Sequence, residues 1–201
     1  MPCKVQKNEI RKASIILADA FQRDPLWNKI FENEITKSEK YPLVSELLLR
    51  YCFKYGEIFA SSENFEGIMA WTPGKLSYMK MWRLIRSQAI FPFMKLGSNV
   101  GRRISLAFTP METDRKKHMQ QNSFIYLHII GVSTKSQGKG HGGKLVQELN
   151  EMSDQAGIPI YLETETENNV RLYEKFGFKT LDQRILPVVN LPVWEMKREP
   201  E

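Results

Sequence analysis

The stretch that decides the fold spans positions 137 to 144 and reads Gln137-Gly-Lys-Gly-His-Gly-Gly-Lys144. It lies between a nearly continuous apolar run and a helical pattern. A backbone without Cβ atoms can turn sharply and approach an anion closely. The first turn of the following helix adds unpaired N–H groups and the positive end of the helix dipole. The sequence therefore predicts a phosphate-binding loop.

Gly138-x-Gly140-x-x-Gly143 also satisfies the dinucleotide-binding fingerprint, and Glu163 follows at the expected distance. That fold needs several more βα units after its loop. The remaining segments read strand, short helix, strand, strand, which cannot complete a doubly wound sheet. Gly138 with Gly143-Lys144 also comes near a nucleoside-triphosphate loop, but Leu145 occupies the place where Ser or Thr must hold Mg²⁺, which argues strongly against it.

A third pattern, Gln137-x-x-Gly140-x-Gly142, is followed by Asn169-Val-Arg-Leu-Tyr-Glu-Lys-Phe-Gly-Phe178. Together, the two motifs resemble the GNAT superfamily of acyl-CoA-dependent N-acyltransferases. That superfamily has Arg or Gln before x-x-Gly-x-Gly or Ala in its pyrophosphate loop, and a later short helix ending in Tyr-Glu-x-x-Gly-Phe. Residues 126–198 are most similar to the puromycin N-acetyltransferase branch.

Composition favours one globular domain over residues 1–201, with 42% hydrophobic and 26% charged residues. Cys3 and Cys52 show no metal or redox spacing, so no metal is expected. No membrane span or signal peptide is expected either, and a cytoplasmic location follows. The net charge of +6 comes without aromatic residues interleaved among the basic ones, which argues against nucleic acid. The three phosphates of coenzyme A are a sufficient partner for Lys139 and Lys144.

The resemblance implies an α/β (α+β) fold, with a mixed central sheet and helices on both faces. Strands at 126–132 and 158–162 should run parallel and splay apart at the acyl-CoA site. Asp24-Pro25 should end the first helix, because the residue before proline is pushed out of the helical region. Residues 76–121 predict two or three short helices. Together with the N-terminal helices around Trp27, they should wall the acceptor pocket.

The family's mode of cofactor binding implies roles for specific residues. Backbone N–H groups of Ile130 and Val132 would hold the thioester and pantetheine, and Gly131 would let the cofactor approach. Asn169 would either bond the cofactor or cap its helix. The pyrophosphate would lie on the loop formed by Gln137, Gly138, Lys139, Gly140, His141, Gly142 and Gly143.

Acyl transfer to an amine needs a base for the ammonium proton and an acid for the leaving thiolate. The resemblance implies that Tyr173 is the acid, since a phenol with a reference pKa of about 10 is protonated at neutral pH. The alternative is a core tyrosine on an amphipathic helix.

His128 is the first candidate base. Counting by two puts it on the same face of its strand as Val132. It also matches one of the paired strand histidines of arylalkylamine N-acetyltransferases, with Tyr126 at the other position. The puromycin branch lacks this histidine. Glu163 is the second candidate. The alternative for His128 is a buried histidine bonded to a backbone carbonyl, and the alternative for Glu163 is a solvated carboxylate.

Taken together, the sequence predicts an acetyl-CoA-dependent N-acetyltransferase that acts on a small primary amine in a ternary complex, as a monomer or homodimer. One alternative is a protein or peptide N-acetyltransferase, which an open groove across the sheet would favour. The other is a non-catalytic acyl-CoA-binding module.

Overall fold

A seven-stranded mixed sheet forms the centre of the protein, and the computed structural model describes residues 1–120 and 123–201. In space the strands are ordered β1-β2-β3-β4-β5-β7-β6, and every pair is antiparallel except β4 with β5. Their bounds are β1 (Cys3–Lys4), β2 (Glu57–Ala60), β3 (Gly67–Pro73), β4 (Ile125–Val132), β5 (Ile160–Thr164), β6 (Lys179–Leu186) and β7 (Leu191–Arg198).

Helices cover both faces of this sheet, which confirms the expected fold class. They are α1 (Ile10–Ala20), α2 (Pro25–Ile30), α3 (Lys37–Tyr55), α4 (Met81–Arg86), α5 (Ile90–Leu96), α6 (Ser98–Met119), α7 (His141–Ala156) and α8 (Glu167–Glu174). Helices α7 and α8 pack on one face, called here the α7 face. Helices α1, α3 and α6 pack on the opposite face, called the α6 face.

The segment between β3 and β4 differs from its sequence prediction. Two short helices are present, but the third, α6, is 22 residues long and continues through Pro110. Gln121, the end of the predicted segment, lies outside the described residues. Asp24-Pro25 also does more than end a helix: α1 stops at Ala20, and Asp24 then caps α2 with Pro25 in its first turn. A proline is tolerated there because that N–H has no intrahelical partner in any case.

Strands β4 and β5 splay apart as expected. They pair only at Ile125 with Ile160 and at Tyr126 with Tyr161, although β4 continues to Val132. Beyond Tyr126, the β5-facing edge of β4 has no strand partner among the described residues. The gap leaves backbone groups available to a ligand.

A β-bulge in β4 overturns one expectation. Ala70 of β3 pairs with Ile129 and Trp71 pairs with Leu127, so His128 is the extra residue. An extra residue interrupts the alternation of side chains. His128 therefore lies on the α6 face, with its ring 6.0 Å from that of Tyr51 in α3. Val132 faces α7, so the prediction that His128 and Val132 share a face is wrong.

In the described part of the chain, no helix combines the length and the apolarity that a bilayer crossing requires.

Candidate active site

The glycine loop has the geometry of an anion site. Gly138 and Gly140 have φ of 76° and 83°, which side chains would strain. Gly140 is the N-cap of α7, and the helical bonding begins with Lys144 N donating to Gly140 O. The N–H groups of residues 141 to 143 precede that bond, as at any helix start. Four turns of α7 stand behind them and contribute the dipole.

The other two glycines of the loop have different roles. Gly142 is helical, and a Cβ there would meet only Val132 Cγ2, at 3.5 Å. A Cβ on Gly143 would lie 3.2 Å from the ring of Phe176, so this glycine allows α7 to pack closely on the segment after α8.

Two polar side chains of the loop form hydrogen bonds within the protein, and a third lies near a carboxylate. Gln137 Nε2 donates to Val132 O at 3.2 Å and ties the loop to the end of β4. Lys139 Nζ donates to Lys135 O at 3.0 Å. His141 Nδ1 lies 3.9 Å from a carboxylate oxygen of Glu66. These contacts fix the shape of the loop and leave its backbone N–H groups as the donors for a ligand.

Gly131 has a packing role in addition to the predicted one. A Cβ at this position would lie 2.8 Å from Phe21 Cε2 and 2.9 Å from Ala20 Cβ. Helix α1 therefore packs directly on β4 here, and the missing side chain serves that contact; the approach of a cofactor at Gly131 stays a prediction. Ile130, Gly131 and Val132 are all partly exposed at the open end of β4.

A cavity of about 370 Å³ lies between the splayed strands and the helices of the α6 face. Its walls are mainly apolar and come from α2, α3 and the helices between β3 and β4. The wall residues include Leu26, Trp27, Leu47, Met79, Leu84, Phe93, Phe108 and Met111. Polar side chains from the sheet, from α8 and from the start of α2 also line it: Asp24, Tyr126, His128, Glu163, Glu165, Asn169 and Tyr173. The three predicted catalytic residues thus line one cavity.

Glu163 is paired with a residue that the sequence analysis overlooked. Arg115 of α6 donates from Nη1 to Glu163 Oε1 at 2.7 Å, and the two side chains are 6% and 3% exposed. The guanidinium also stacks on Tyr126, 3.9 Å from the ring centroid. Burial raises the pKa of Glu163, and the Arg115 charge opposes that shift. Arg115 belongs to an Arg-Lys-Lys run that reads as a solvated helix face, so no local signal separates it from its neighbours.

His128 is held neutral. Its Nε2 lies 2.9 Å from Thr72 Oγ1, and its ring centroid is 4.3 Å from that of Tyr126. Burial, followed by the positive charge of Arg115, places the pKa of His128 well below its ordinary value. An imidazolium beside a buried guanidinium is unfavourable, so this geometry makes His128 a weak acceptor for an ammonium proton.

Two further carboxylates line the cavity and were not assigned from the sequence. Asp24 Oδ1 accepts from Trp27 N at 2.9 Å. Burial nevertheless raises the pKa of Asp24 to about 6, against the two backbone hydrogen bonds. Burial and the charges of Asp24 and Glu163 raise the pKa of Glu165 well above its ordinary value. Both carboxylates therefore line the cavity with pKa values above their ordinary range, mainly because they are buried.

Tyr173 and Asn169 both lie on α8. Tyr173 packs on Phe178 with ring centroids 5.4 Å apart, and burial, then the charge of Glu165, raises the pKa of its phenol. The phenol thus stays protonated at neutral pH. Asn169 is not the helix cap: Thr166 Oγ1 accepts from Asn169 N at 3.3 Å, and Asn169 Nδ2 donates to Thr164 Oγ1 at 3.0 Å.

Comparison with known proteins assigns the family. Residues 106–180 match the model of the acetyltransferase (GNAT) domain. A Schizosaccharomyces pombe protein described as an uncharacterized N-acetyltransferase is 30% identical over 213 residues, covering 98% of this chain and 83% of the relative. The chain belongs to the GNAT N-acetyltransferases.

Solved structures share this GNAT fold along the whole chain. A Corynebacterium glutamicum protein described as histone acetyltransferase HPA2 and related acetyltransferase is 19% identical with a TM-score of 0.70, covering 100% of this chain and 96% of that one. A Drosophila melanogaster polyamine N-acetyltransferase, which forms N-acetylagmatine, is 16% identical with a TM-score of 0.65, covering 99% of both. At these identities the likeness shows the fold alone.

Proposed function

We propose that this GNAT protein transfers an acetyl group from acetyl-CoA to the primary amine of a small molecule, by direct attack in a ternary complex. One observation carries the proposal. The largely apolar cavity is walled by helices on the α6 face, and it reaches the gap between β4 and β5 where acidic side chains gather. Pockets of this kind are typical small-molecule sites.

The residues present fit acetyl-CoA. The pyrophosphate would lie on the N–H groups at the start of α7, reached past Gly138 and Gly140. The pantetheine would lie along the open edge of β4 at residues 130–132. Gln137 supports this loop from behind. When bound, acetyl-CoA supplies a thioester carbonyl as the electrophile.

Asp24 is the proposed base, together with Glu165. The pKa of Asp24 is raised to about 6, so it is ionised at neutral pH and attracts the acceptor ammonium. It takes one proton, and the neutral amine then attacks the thioester carbonyl carbon. Burial and the charges of Asp24 and Glu163 raise the pKa of Glu165 well above its ordinary value, which favours its protonated form.

Tyr173 is the proposed acid. As the C–S bond breaks, the thiolate takes the proton of the Tyr173 hydroxyl, which burial keeps on the phenol until then. The phenolate then takes the second proton of the attacking nitrogen, so that a neutral amide and a free thiol leave. His128 and Glu163, the bases expected from the sequence, act here as positioning residues. Glu163 holds Arg115 in place through the 2.7 Å contact between Oε1 and Nη1. His128 Nε2 lies 2.9 Å from Thr72 Oγ1 at the wall of the cavity.

The alternatives differ in the shape of site they require. A protein or peptide acceptor, as the name of the Corynebacterium relative suggests for that protein, needs an open groove, whereas the helices between β3 and β4 wall this cavity. A module that only binds acyl-CoA has no use for a protonated phenol and a carboxylate pair. Three further expectations stay predictions. They are membership of the puromycin branch, a single domain over residues 1–201, and a monomeric or homodimeric state.

An acetylation screen tests the proposal. The protein would be incubated with acetyl-CoA and a panel of amines, and free thiol release would be measured. The panel contains agmatine, spermidine, arylalkylamines and peptides with a free α-amine. We expect turnover with a small amine and none with peptides. Turnover with peptides alone would establish the protein acceptor. Tight acetyl-CoA binding without turnover on any amine would favour the binding module.

A further inference from the structure

The positive charge of this protein is concentrated in one segment. Between Glu66 and Glu112 the chain has no acidic residue. The same segment contains seven basic residues, Lys75, Lys80, Arg83, Arg86, Lys95, Arg102 and Arg103, while the net charge of the whole chain is +6. The remaining residues are therefore close to neutral as a group. This segment is the one that forms α4, α5 and most of α6.

Large apolar side chains are exposed in the same place. On α4 these are Met81, Trp82 and Ile85, and on α5 they are Phe91 and Met94, with exposures from 51% to 71%. The opposite sides of these two helices are packed into the core through Leu84, Pro92 and Leu96. Residues 81, 82 and 85 share one side of a helix, as do 91 and 94.

We define the α4–α5 surface by Trp82, Ile85, Phe91 and Met94 together with the exposed basic residues Arg86 and Lys95. We propose that this surface docks the protein on an anionic lipid membrane. Amphipathic helices that lie in the headgroup region combine buried aromatic and aliphatic side chains with basic residues at their edges. The absence of any acidic residue between 67 and 111 suits a negatively charged partner.

The chemistry of the surface distinguishes lipid from other partners. A second copy of this chain, docked through the same surface, would bring Arg86 and Lys95 against their own copies, which like-charge repulsion opposes. A nucleic acid would pair with the basic residues and stack on Trp82, but it offers nothing apolar to cover the aliphatic Ile85 and Met94. Acyl chains cover both, and anionic headgroups satisfy Arg86 and Lys95.

The position of the surface gives docking a consequence. Met81 is 56% exposed and also lines the cavity, and Leu84 and Phe93 line it from the inner sides of α4 and α5. The α4–α5 surface is therefore the outer side of a cavity wall. This last step rests on the proposed function: if the cavity holds the acceptor, an amine with an apolar body can enter it from the membrane.

Vesicle binding tests docking without any reference to catalysis. The protein would be sedimented with vesicles of phosphatidylcholine alone or mixed with phosphatidylserine. We expect binding to the mixed vesicles only, and release by high salt. Trp27 and Trp194 are buried and Trp71 on β3 is partly buried, whereas Trp82 is 51% exposed. Docking should therefore shift the tryptophan emission to the blue, and Trp82→Phe should remove most of that shift.

A matched pair of variants locates the surface. Arg86→Glu with Lys95→Glu should weaken binding to the mixed vesicles by more than tenfold. Lys175→Glu with Lys179→Glu, which reverses two exposed charges elsewhere, should leave binding unchanged. Thiol release with a soluble amine should be normal in both, because none of these residues lines the cavity. Phe91→Ser should weaken binding, and Ile185→Ser, at a side chain 53% exposed on β6, should not.

Several outcomes would overturn the proposal. They are no sedimentation with phosphatidylserine vesicles at low salt, equal weakening by the two charge-reversal pairs, stronger binding to a DNA duplex than to lipid, and a dimer that Phe91→Ser dissociates. Because binding and thiol release are measured separately, a protein that docks but acetylates nothing would contradict only the proposed function.

Discussion

The two faces of the sheet are built from the same strands and differ in their chemistry. On the α7 face, Leu127 and Leu162 pack in an apolar cluster with α7 and α8. One residue earlier or later along the same strands, Tyr126 and Glu163 lie on the α6 face. Glu195 of β7 is the direct cross-strand partner of Glu163 there. Side chains alternate between the faces, so a single strand can supply a dry core and a polar site.

The α6 face buries carboxylates, whose desolvation lowers the free energy of unfolding. Two buried carboxylates opposite each other on neighbouring strands are unfavourable unless compensated. Helix α6 supplies the counter-charge for Glu163 through Arg115 and, three residues on, brings His118 Nε2 to 3.0 Å from Glu195 Oε2. Burial still raises the pKa of Glu195 to about 7. The α7 face carries its proposed function on backbone N–H groups instead, and its buried Arg198 is paired with Asp154 of α7.

The buried ion pair gives the largest expected effect. Glu163→Gln leaves the guanidinium of Arg115 without a counter-charge in a site where both side chains are almost fully buried. We expect a loss of about 3 to 5 kcal/mol in the free energy of unfolding, measured by urea denaturation. Arg115→Met combined with Glu163→Leu should recover most of that stability, because no charge is left behind. A loss below about 1 kcal/mol in the single variant would mean that water solvates the pair.

Tyr173→Phe comes next, because Tyr173 packs with the apolar cluster of the α7 face but also lines the cavity. The change removes one hydroxyl and little volume. If that hydroxyl protonates the thiolate, kcat should fall by ~10²-fold while acetyl-CoA affinity stays the same. Stopped-flow kinetics and calorimetric titration measure the two quantities. An unaltered kcat, under conditions where chemistry limits turnover, would make Tyr173 a core residue like Phe178.

Asp24→Asn probes the carboxylates of the cavity. The pKa of Asp24 is raised to about 6, so kcat/KM should rise with pH through that value. In Asp24→Asn this rise should disappear. The rate of the variant at neutral pH should also be at least tenfold lower than that of the wild type. Asn preserves the helix cap. His128→Gln is the control and should keep the rise, since His128 is already neutral. If the rise of kcat/KM with pH is lost in His128→Gln and kept in Asp24→Asn, His128 is the base.

The same variant should gain stability. A carboxyl whose pKa is raised in the folded state stabilises the fold below its unfolded pKa, near 4, and this contribution is lost as pH rises through about 6. Asp24→Asn avoids that loss. Its stability should exceed that of the wild type increasingly between pH 4 and pH 7, by up to about 2 kcal/mol. Equal urea midpoints for the wild type and Asp24→Asn at pH 7 would show that the charge of Asp24 does not lower the free energy of unfolding.

The contrast between the faces also explains what the sequence could predict. The glycine loop, α8 and the parallel strands are encoded in short stretches, where glycine positions and apolar runs signal the local backbone. The bulge at His128 depends on the register of β3 against β4, which no local pattern expresses, so counting by two put His128 on the wrong face. Arg115 and Glu163 are 48 positions apart, and only the fold brings them together.

Gly142→Asp tests the backbone site of the α7 face and has the smallest expected effect. Because Gly142 is helical and has open space around it, Gly142→Ala should fit and bind coenzyme A like the wild type. Aspartate adds a negative charge in the first turn of α7, where it stabilises a helix but repels phosphate. Calorimetry should therefore show a tenfold or greater loss of coenzyme A affinity in Gly142→Asp, without any loss of melting temperature. Equal affinity in the two variants would show that the phosphate does not bind at this loop. The assignment of cofactor binding to the α7 face and acceptor binding to the α6 face would then be wrong.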